Sequence, residues 1–245
     1  MTTTSATAAA RAAPTIEVTD FVAGARTARG LVVVIDVFRA FSVAVYAHAL
    51  GAKKIIPVAS VEAARALKAA NPDAVLIGER HARPLPGFDG GNSPADLHRM
   101  DVRGRLVIHT THAGTQGLTN AVQADEVVTG ALVNAGAIVR YIRSRRPSRV
   151  TLVRMGHEAC ERSDEDDLCA NLLRRRLLGE TPDIHAIRPK LRVAASAAKF
   201  FDPACDWAPQ DDFDLCTRVD AFDFVLRLVP DEPAPSLTAV PVPND

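Results

Sequence analysis

The chain has 245 residues, and its 29 Lys and Arg balance 29 Asp and Glu, so the formal net charge is zero. Hydrophobic residues make up 47% and charged residues 24%, an ordinary composition for a soluble globular protein with a sizeable core. The charge balance argues against a nucleic-acid or polybasic membrane partner, and no apolar run approaches the ~20 residues of a membrane span.

Residues 1–14 are small and polar, with no apolar segment of the kind a signal peptide needs. They are expected to form a disordered tail. Leu31 to Ile35 is a β-branched run, as in a strand covered on both faces. Ala40 to Leu50 reads as a helix stopped at Gly51. Lys54 to Val58 is a short strand, and Ser60 caps a helix that Asn71 and Pro72 close. Ala74 to Ile77 is the next strand. The polar stretch from His81 to Asp101 is too long for a plain connector and is expected to be a functional loop.

Leu106 to His109 resumes a strand, with a helix from about Thr115. A strand is predicted over Glu126 to Thr129, a helix over Ala131 to Ser144, a strand over Val150 to Arg154 and a helix over Asp164 to Leu178. Pro182 to Phe201 reads as helical and Phe222 to Val229 as a strand. The last sixteen residues, 230–245, hold five prolines and are expected to be an extended tail. The β-α repetition predicts a single three-layer α/β/α domain over residues 15–229, with a mostly parallel sheet. Cys160, Cys169, Cys205 and Cys216 lack the close pairs of a zinc site or a disulfide scaffold, and are expected to be reduced thiols in a cytoplasmic protein.

Open α/β sheets bind ligands at the carboxyl ends of their strands. The predicted strands deliver Asp36 and Arg39, then Glu79 and Arg80, then Thr110, Thr111 and Thr115 around Gly114. The last of them leads to Glu165 and Asp166. Singly, each has a structural reading: a helix cap, a surface ion pair, a tight turn, acidic enrichment of a first helical turn. Asp89 and Asn92, in the loop GFDGGNSP, are equally compatible with an Asx turn. Together, carboxylates, arginines and a Gly-Thr helix start describe a site for a phosphorylated anion and a divalent metal such as Mg2+.

The segments VVVIDVFRAFS, GAKKIIPV, GER, GFDGGNSP, TTHAGT and EDDLCANLL occur together in the order found in the 2-phosphosulfolactate phosphatase family, which the chain resembles over Val32 to Gly179. The resemblance implies an α/β/α fold, a homodimer and Mg2+-dependent cleavage of 2-phospho-3-sulfolactate to 3-sulfolactate and phosphate, on the route to coenzyme M. Residue by residue it implies site roles for Asp36 and Arg39 (DxxRA), Glu79 and Arg80 (GER), Asp89 and Asn92 (GFDxGNSP), Thr111, Gly114 and Thr115, and Glu165 with Asp166. On this reading Asp36, Arg39, Glu79, Arg80 and Asp89 are catalytic. Asn92, Thr111, Gly114 and Thr115 bind substrate, and Asp36, Glu79, Glu165 and Asp166 hold the metal. The chain departs from the pattern at His112 and Ala113, where the family often reads TTNGT. It departs also at Phe38 and Phe41, and in the charged stretch from Met155 to Asp166.

Two rivals follow from the residues. An aspartyl-phosphate phosphatase needs a strand ending in DxD, and Phe38 stands where its second aspartate, a general acid contributing roughly 10²–10⁴-fold, would be. A degenerate, non-catalytic module that binds a phosphorylated metabolite fits the departures around His112 and Met155.

Overall fold

The computed structural model describes residues 14–242. Of the predicted N-terminal tail only Pro14 is described, and the rest of that expectation lies outside the described residues. Among the described residues, ten strands form one sheet in the order β1-β8-β2-β7-β9-β10-β3-β6-β4-β5. These are β1 (Thr15–Asp20), β2 (Leu31–Ile35), β3 (Lys54–Pro57), β4 (Val75–Arg80), β5 (Arg83–Pro84), β6 (Leu106–Thr110), β7 (Glu126–Gly130), β8 (Arg149–Arg154), β9 (Phe224–Val229) and β10 (Ser236–Pro241). Five of the nine pairings are parallel, in two groups, β1-β8-β2-β7 and β3-β6-β4. The sheet is therefore mostly parallel, as predicted.

The two groups are joined by an antiparallel β9–β10 hairpin. This corrects the expectation of an extended tail over 230–245 at Ser236–Pro241, while residues 243–245 of that expectation lie outside the described residues. The prolines there flank the strand rather than break it: Pro233 and Pro235 precede β10 and Pro241 is its last residue, so Ser236 to Val240 keep their ladder donors. Leu237 is buried and completes the core between the two groups.

Alternation along the strands sends side chains to two faces. Val32 and Val34 of β2 enter one core, and Leu31, Val33 and Ile35 the opposite one. On the first face lie α1 (Phe21–Thr27), α2 (Ala40–Ala49) and α5 (Gly114–Asn120), packed against strands of both groups. On the other face α6 (Ala135–Arg145), α7 (Asp164–Leu177), α8 (Ile187–Arg192) and α9 (Gln210–Cys216) cover the first group, and α3 (Val61–Ala70) covers the second. This is the expected three-layer arrangement. The helix α2 is buried all round, from Ala40 to Ala47, which accounts for its Ala- and Val-rich sequence.

Following pairing directions across the hairpin, the β3-β6-β4 group runs opposite to the β1-β8-β2-β7 group. Twist of roughly 20–25° per step accumulates over the five steps from β2 to β6 and swings the carboxyl ends of the second group back toward those of the first. The loops after β2, β4, β6 and β8 consequently meet.

Other boundaries differ modestly. The segment Pro182 to Phe201, read as one helix, is α8 followed by a 3-10 turn over Ala195–Phe200, and residues before Ile187 are irregular. The long polar loop holds a one-turn helix α4 (Pro94–Leu97), capped by Ser93, whose side chain accepts from the Asp96 N–H. No helix among the described residues is long and apolar enough to cross a membrane.

Candidate active site

The loops after β2, β4, β6 and β8 enclose a cavity of about 480 Å3, walled on its outer side by the Ala195–Phe200 turn and Trp207. Asp36 sits at its floor. The residue directly follows β2, and its Oδ1 accepts from the Ala40 N–H at 3.1 Å, so it does cap the start of α2. The other oxygen, Oδ2, lies against Gly114: a Cβ there would stand 2.8 Å from it and 2.8 Å from the Ala40 methyl. Gly114 thus serves by lacking a side chain, which lets α5 approach the carboxylate closely. Burial, reinforced by the neighbouring Glu79 and Glu165 carboxylates, pushes Asp36 up to about 7, against the opposing pull of the Ala40 N–H and Lys199.

Glu79, at the end of β4, is buried and braced from both sides. Its Oε2 accepts from the Ala82 N–H at 2.8 Å and its Oε1 from the His112 N–H at 2.6 Å. One carboxylate therefore fixes the turns after β4 and after β6. Glu165, in the first turn of α7, faces the cavity with its Oε2 buried and without a hydrogen-bond partner. Burial holds its pKa above the usual carboxylate range. Lys199 completes the floor. Burial and the nearby Arg39 lower its pKa, while Glu165 and Asp36 oppose that effect.

Arg39 lines the cavity but is held elsewhere. Its Nη1 is 2.5 Å from Asp212 Oδ2 and also donates to the Trp207 carbonyl, while Nη2 donates to the Ala82 carbonyl. Asp212 Oδ1 accepts from Ser93 Oγ and the Ala95 N–H. The Arg39–Asp212 pair thus ties the start of α2, the GFDGGNSP loop and α9 together. Arg39, expected to be catalytic, thus lines the cavity with its guanidinium bonded to Asp212, Trp207 and Ala82.

Asn92 is at the cavity wall. Its Oδ1 is 3.0 Å from His109 Nε2. Burial pushes His109 down to about 4, so the ring is neutral and Nε2–H is the donor. The Asn92 amide N–H groups are then left for the cavity.

The remaining predicted residues are placed behind or away from it. Arg80 donates to the Glu79 and Ala59 carbonyls and to Thr110 Oγ1. Asp89 is exposed; its Oδ2 accepts from the Leu76 N–H at 2.7 Å and pairs with Lys68 at 3.0 Å, so it anchors the loop to β4. Thr111 and Thr115 bond each other: Thr115 N–H donates to Thr111 Oγ1, and Thr111 N–H to Thr115 Oγ1. The Thr115 N–H is therefore not open to an anion. Asp166 is buried with Oδ1 accepting from the Val37 N–H and Oδ2 from the Gly156 N–H, a clasp between the β2 and β8 loops. Burial, then Glu165 and Asp36, raise its pKa well above the usual range.

Sequence reading missed Lys199, His81, Glu158 and Trp207, all of which line the cavity. The lining carboxylates are Asp36, Glu79, Glu158, Glu161, Asp164 and Glu165, against three permanent cations, Arg39, Arg162 and Lys199. Arg39 is spent on Asp212 and Arg162 on Asp167. Among the described residues, Lys199 is the lining cation without a carboxylate ion pair. Asp36, Glu79, Glu165 and Asp166 do not present ligand atoms within 4.8 Å of one another as a set; among the described residues the only such trio is His81, His112 and Glu158.

Fold and site together define an α/β protein with a carboxylate-rich cavity at the carboxyl ends of its strands. Residues 16–230 match the model of the family described as 2-phosphosulpholactate phosphatase, and the chain belongs to that family. Among its relatives, a protein of Thermotoga petrophila is 32% identical over 209 residues, covering 80% of this chain and 88% of the relative. A Bacillus subtilis protein is 30% identical over 211 residues, covering 85% and 91%. One from Clostridium perfringens is 37% identical over 147 residues, and the match spans 58% of this chain and 59% of that relative. The chain thus covers about three-fifths of the length of the Clostridium relative. All three carry the name "Probable 2-phosphosulfolactate phosphatase".

Proposed function

We propose that the cavity hydrolyses the phosphate monoester of a small acidic hydroxy acid, 2-phosphosulfolactate to 3-sulfolactate and phosphate, with Mg2+ as cofactor. Family membership supports the reaction class. The observation that carries the metal is the set of buried carboxylates around Asp36: burial pushes Asp36 up to about 7, Glu79 and Glu165 add to the rise, and Lys199 opposes it. The unpartnered Glu165 Oε2 is an oxygen donor with nothing to bind. Hard oxygen donors of this kind fit Mg2+, which keeps waters and so needs no tight all-protein cage. A substrate carrying several negative charges also requires compensation in a cavity richer in carboxylates than in cations.

On this reading Asp36 and Glu165 would hold the ion, which would neutralise charge on the phosphoryl oxygens and polarise the ester or a water. Lys199 binds an anionic oxygen of the substrate, and the Asn92 amide donates a second hydrogen bond. Glu79 keeps the turns after β4 and β6 in register through its two N–H donors. Phe38 and Trp207 wall the cavity and limit water. The same reading carries a homodimer and a cytoplasmic setting; four free thiols are in keeping with the latter.

The test is phosphate release from 2-phosphosulfolactate by purified protein in Mg2+, with EDTA and Asp36→Asn each expected to abolish it. Release undiminished by EDTA would remove the metal from the proposal. A second reading, a non-catalytic binding module, is favoured by the commitment of Arg39 to Asp212. It predicts ligand-induced stabilisation and no phosphate release from any of a panel of phosphorylated hydroxy acids.

A further inference from the structure

We propose that His81, His112 and Glu158 form a second cation site on the rim of this cavity, for a late first-row divalent ion such as Zn2+. The inference rests on side chains that neither the phosphatase reading nor the Mg2+ site uses.

The three residues come from three separate loops, after β4, β6 and β8. One ligand atom from each lies within 4.8 Å of the others. His81 Nδ1 is 2.6 Å from Glu158 Oε1, and the His81 and His112 rings meet at 4.9 Å and 72°. His112 Nδ1 is buried with no hydrogen-bond partner. Two of the three positions are also held by Glu79, whose oxygens accept the His112 N–H and the Ala82 N–H beside His81. The two histidine loops are therefore positioned by a buried carboxylate, and the third ligand, Glu158, meets His81 directly.

The donor set decides the ion. Two imidazoles with one carboxylate are poor ligands for Mg2+, which demands oxygen, and good ones for Zn2+, Co2+ or Ni2+. Three protein ligands leave at least one coordination position open, the arrangement of reactive rather than structural zinc sites. All three ligands line the cavity, so an oxygen of an anionic substrate there is the ligand suited to that position. His157 Nε2 stands 4.0 Å from the same Glu158 oxygen, and the exposed Cys160 follows three residues on. These two are the competing donors for any thiophilic metal in this loop.

The test uses the full chain, stripped with EDTA and dialysed, then titrated with Zn2+ against a chromophoric chelator. One equivalent is expected to bind, and an excess of Mg2+ should leave the isotherm unchanged. His81→Ala, a change at a side chain 68% exposed, should weaken binding by at least about 10–100-fold, the range that even outer-sphere changes reach. Glu158→Gln should do likewise, and Cys160→Ser should not. Co2+ substitution should give a visible d–d spectrum without thiolate charge transfer, lost in His81→Ala. Melting in EDTA, unchanged in His81→Ala, separates ligand loss from misfolding. The proposal is overturned if the wild-type chain binds no equivalent of Zn2+, if Mg2+ displaces it, if His81→Ala binds as well as wild type, or if Cys160→Ser abolishes binding. None of these outcomes depends on whether phosphate is released.

Discussion

Arg39 Nη1 and Asp212 Oδ2 stand 2.5 Å apart with both side chains almost wholly removed from solvent, at 2% and 0% exposure. The pair joins residues 173 positions apart and closes α9 over the start of α2. Burial pushes the Asp212 carboxyl up even with the guanidinium beside it. Asp212→Asn would leave a buried guanidinium with no counter-charge. Removing one partner of such a pair costs about 3–5 kcal/mol, or roughly 6–20 °C in melting temperature for a chain of this size. Thermal unfolding of the variant checks this; a melting temperature within about 2 °C of wild type would show that the pair is solvated.

Asp36 links chemistry to stability with opposite signs. Its pKa in the folded protein is about 7 against an ordinary value of 3.8. Between about pH 4 and pH 7 the metal-free folded chain keeps a proton that the unfolded chain has released. Stability in EDTA therefore falls as pH rises across that window, and Glu165 and Asp166, both shifted upward, add in the same direction. Asp36→Asn removes the contribution. It is expected to gain on the order of 2–4 kcal/mol at pH 8 and nothing below pH 4, while losing phosphate release. Denaturant melts in EDTA at the two pH values decide it, and a variant less stable than wild type at pH 8 would contradict the assignment.

Lys199 lowers the Asp36 pKa and faces Glu165. Lys199→Met should therefore raise the Asp36 pKa and move the acid limb of kcat/KM at limiting Mg2+ to higher pH. It should also raise KM, because an anionic oxygen of the substrate loses its partner. A loss of kcat at all pH values with the limb unmoved would place Lys199 away from Asp36 in function.

Asp89 belongs to the most family-specific loop, yet it faces solvent at 42% exposure and holds the Leu76 N–H and Lys68. Asp89→Asn should cost about 0.5–1.5 kcal/mol through the weakened loop anchor and leave kcat within a few-fold. Abolished activity with an intact melt would restore it to the catalytic set.

The contrast between Asp36 and Asp89 shows what local sequence can and cannot report. Asp36 ends an apolar β-branched run, so its place at a strand's carboxyl end follows from periodicity, and the site follows from the fold class. Asp89, Asp166 and Arg39 sit in equally suggestive motifs, but their partners are Leu76, the Val37 and Gly156 amides, and Asp212, fixed by tertiary closure. Lys199 was illegible for the converse reason: it lies in ASAAKFF, a stretch with no motif, and reaches the floor only because the 195–200 turn folds over it. The edge strand β1 was missed because TIEVTD is largely exposed and its alternation is weak.

The hairpin strand β10 is the largest departure from sequence reading, and it yields the sharpest stability prediction. Its six residues pair with β9 from Ser236↔Val229 to Pro241↔Phe224, and Leu237 pairs with Ile55 of β3. Proline density there reads as an extended tail, because Leu237, Val240 and Val242 are the only large apolar residues among residues 230–245. Deleting residues 236–245 would nevertheless open the sheet at its middle, leave β9 paired to β7 alone, and expose the join between the two parallel groups. Marginal stabilities of about 5–15 kcal/mol leave little margin against the loss of a central strand. The truncated chain is expected to lose its cooperative melt and to aggregate during size-exclusion chromatography. A soluble truncated protein that melts within about 2 °C of the full chain would show instead that β10 is an appendage and that the sheet closes without it.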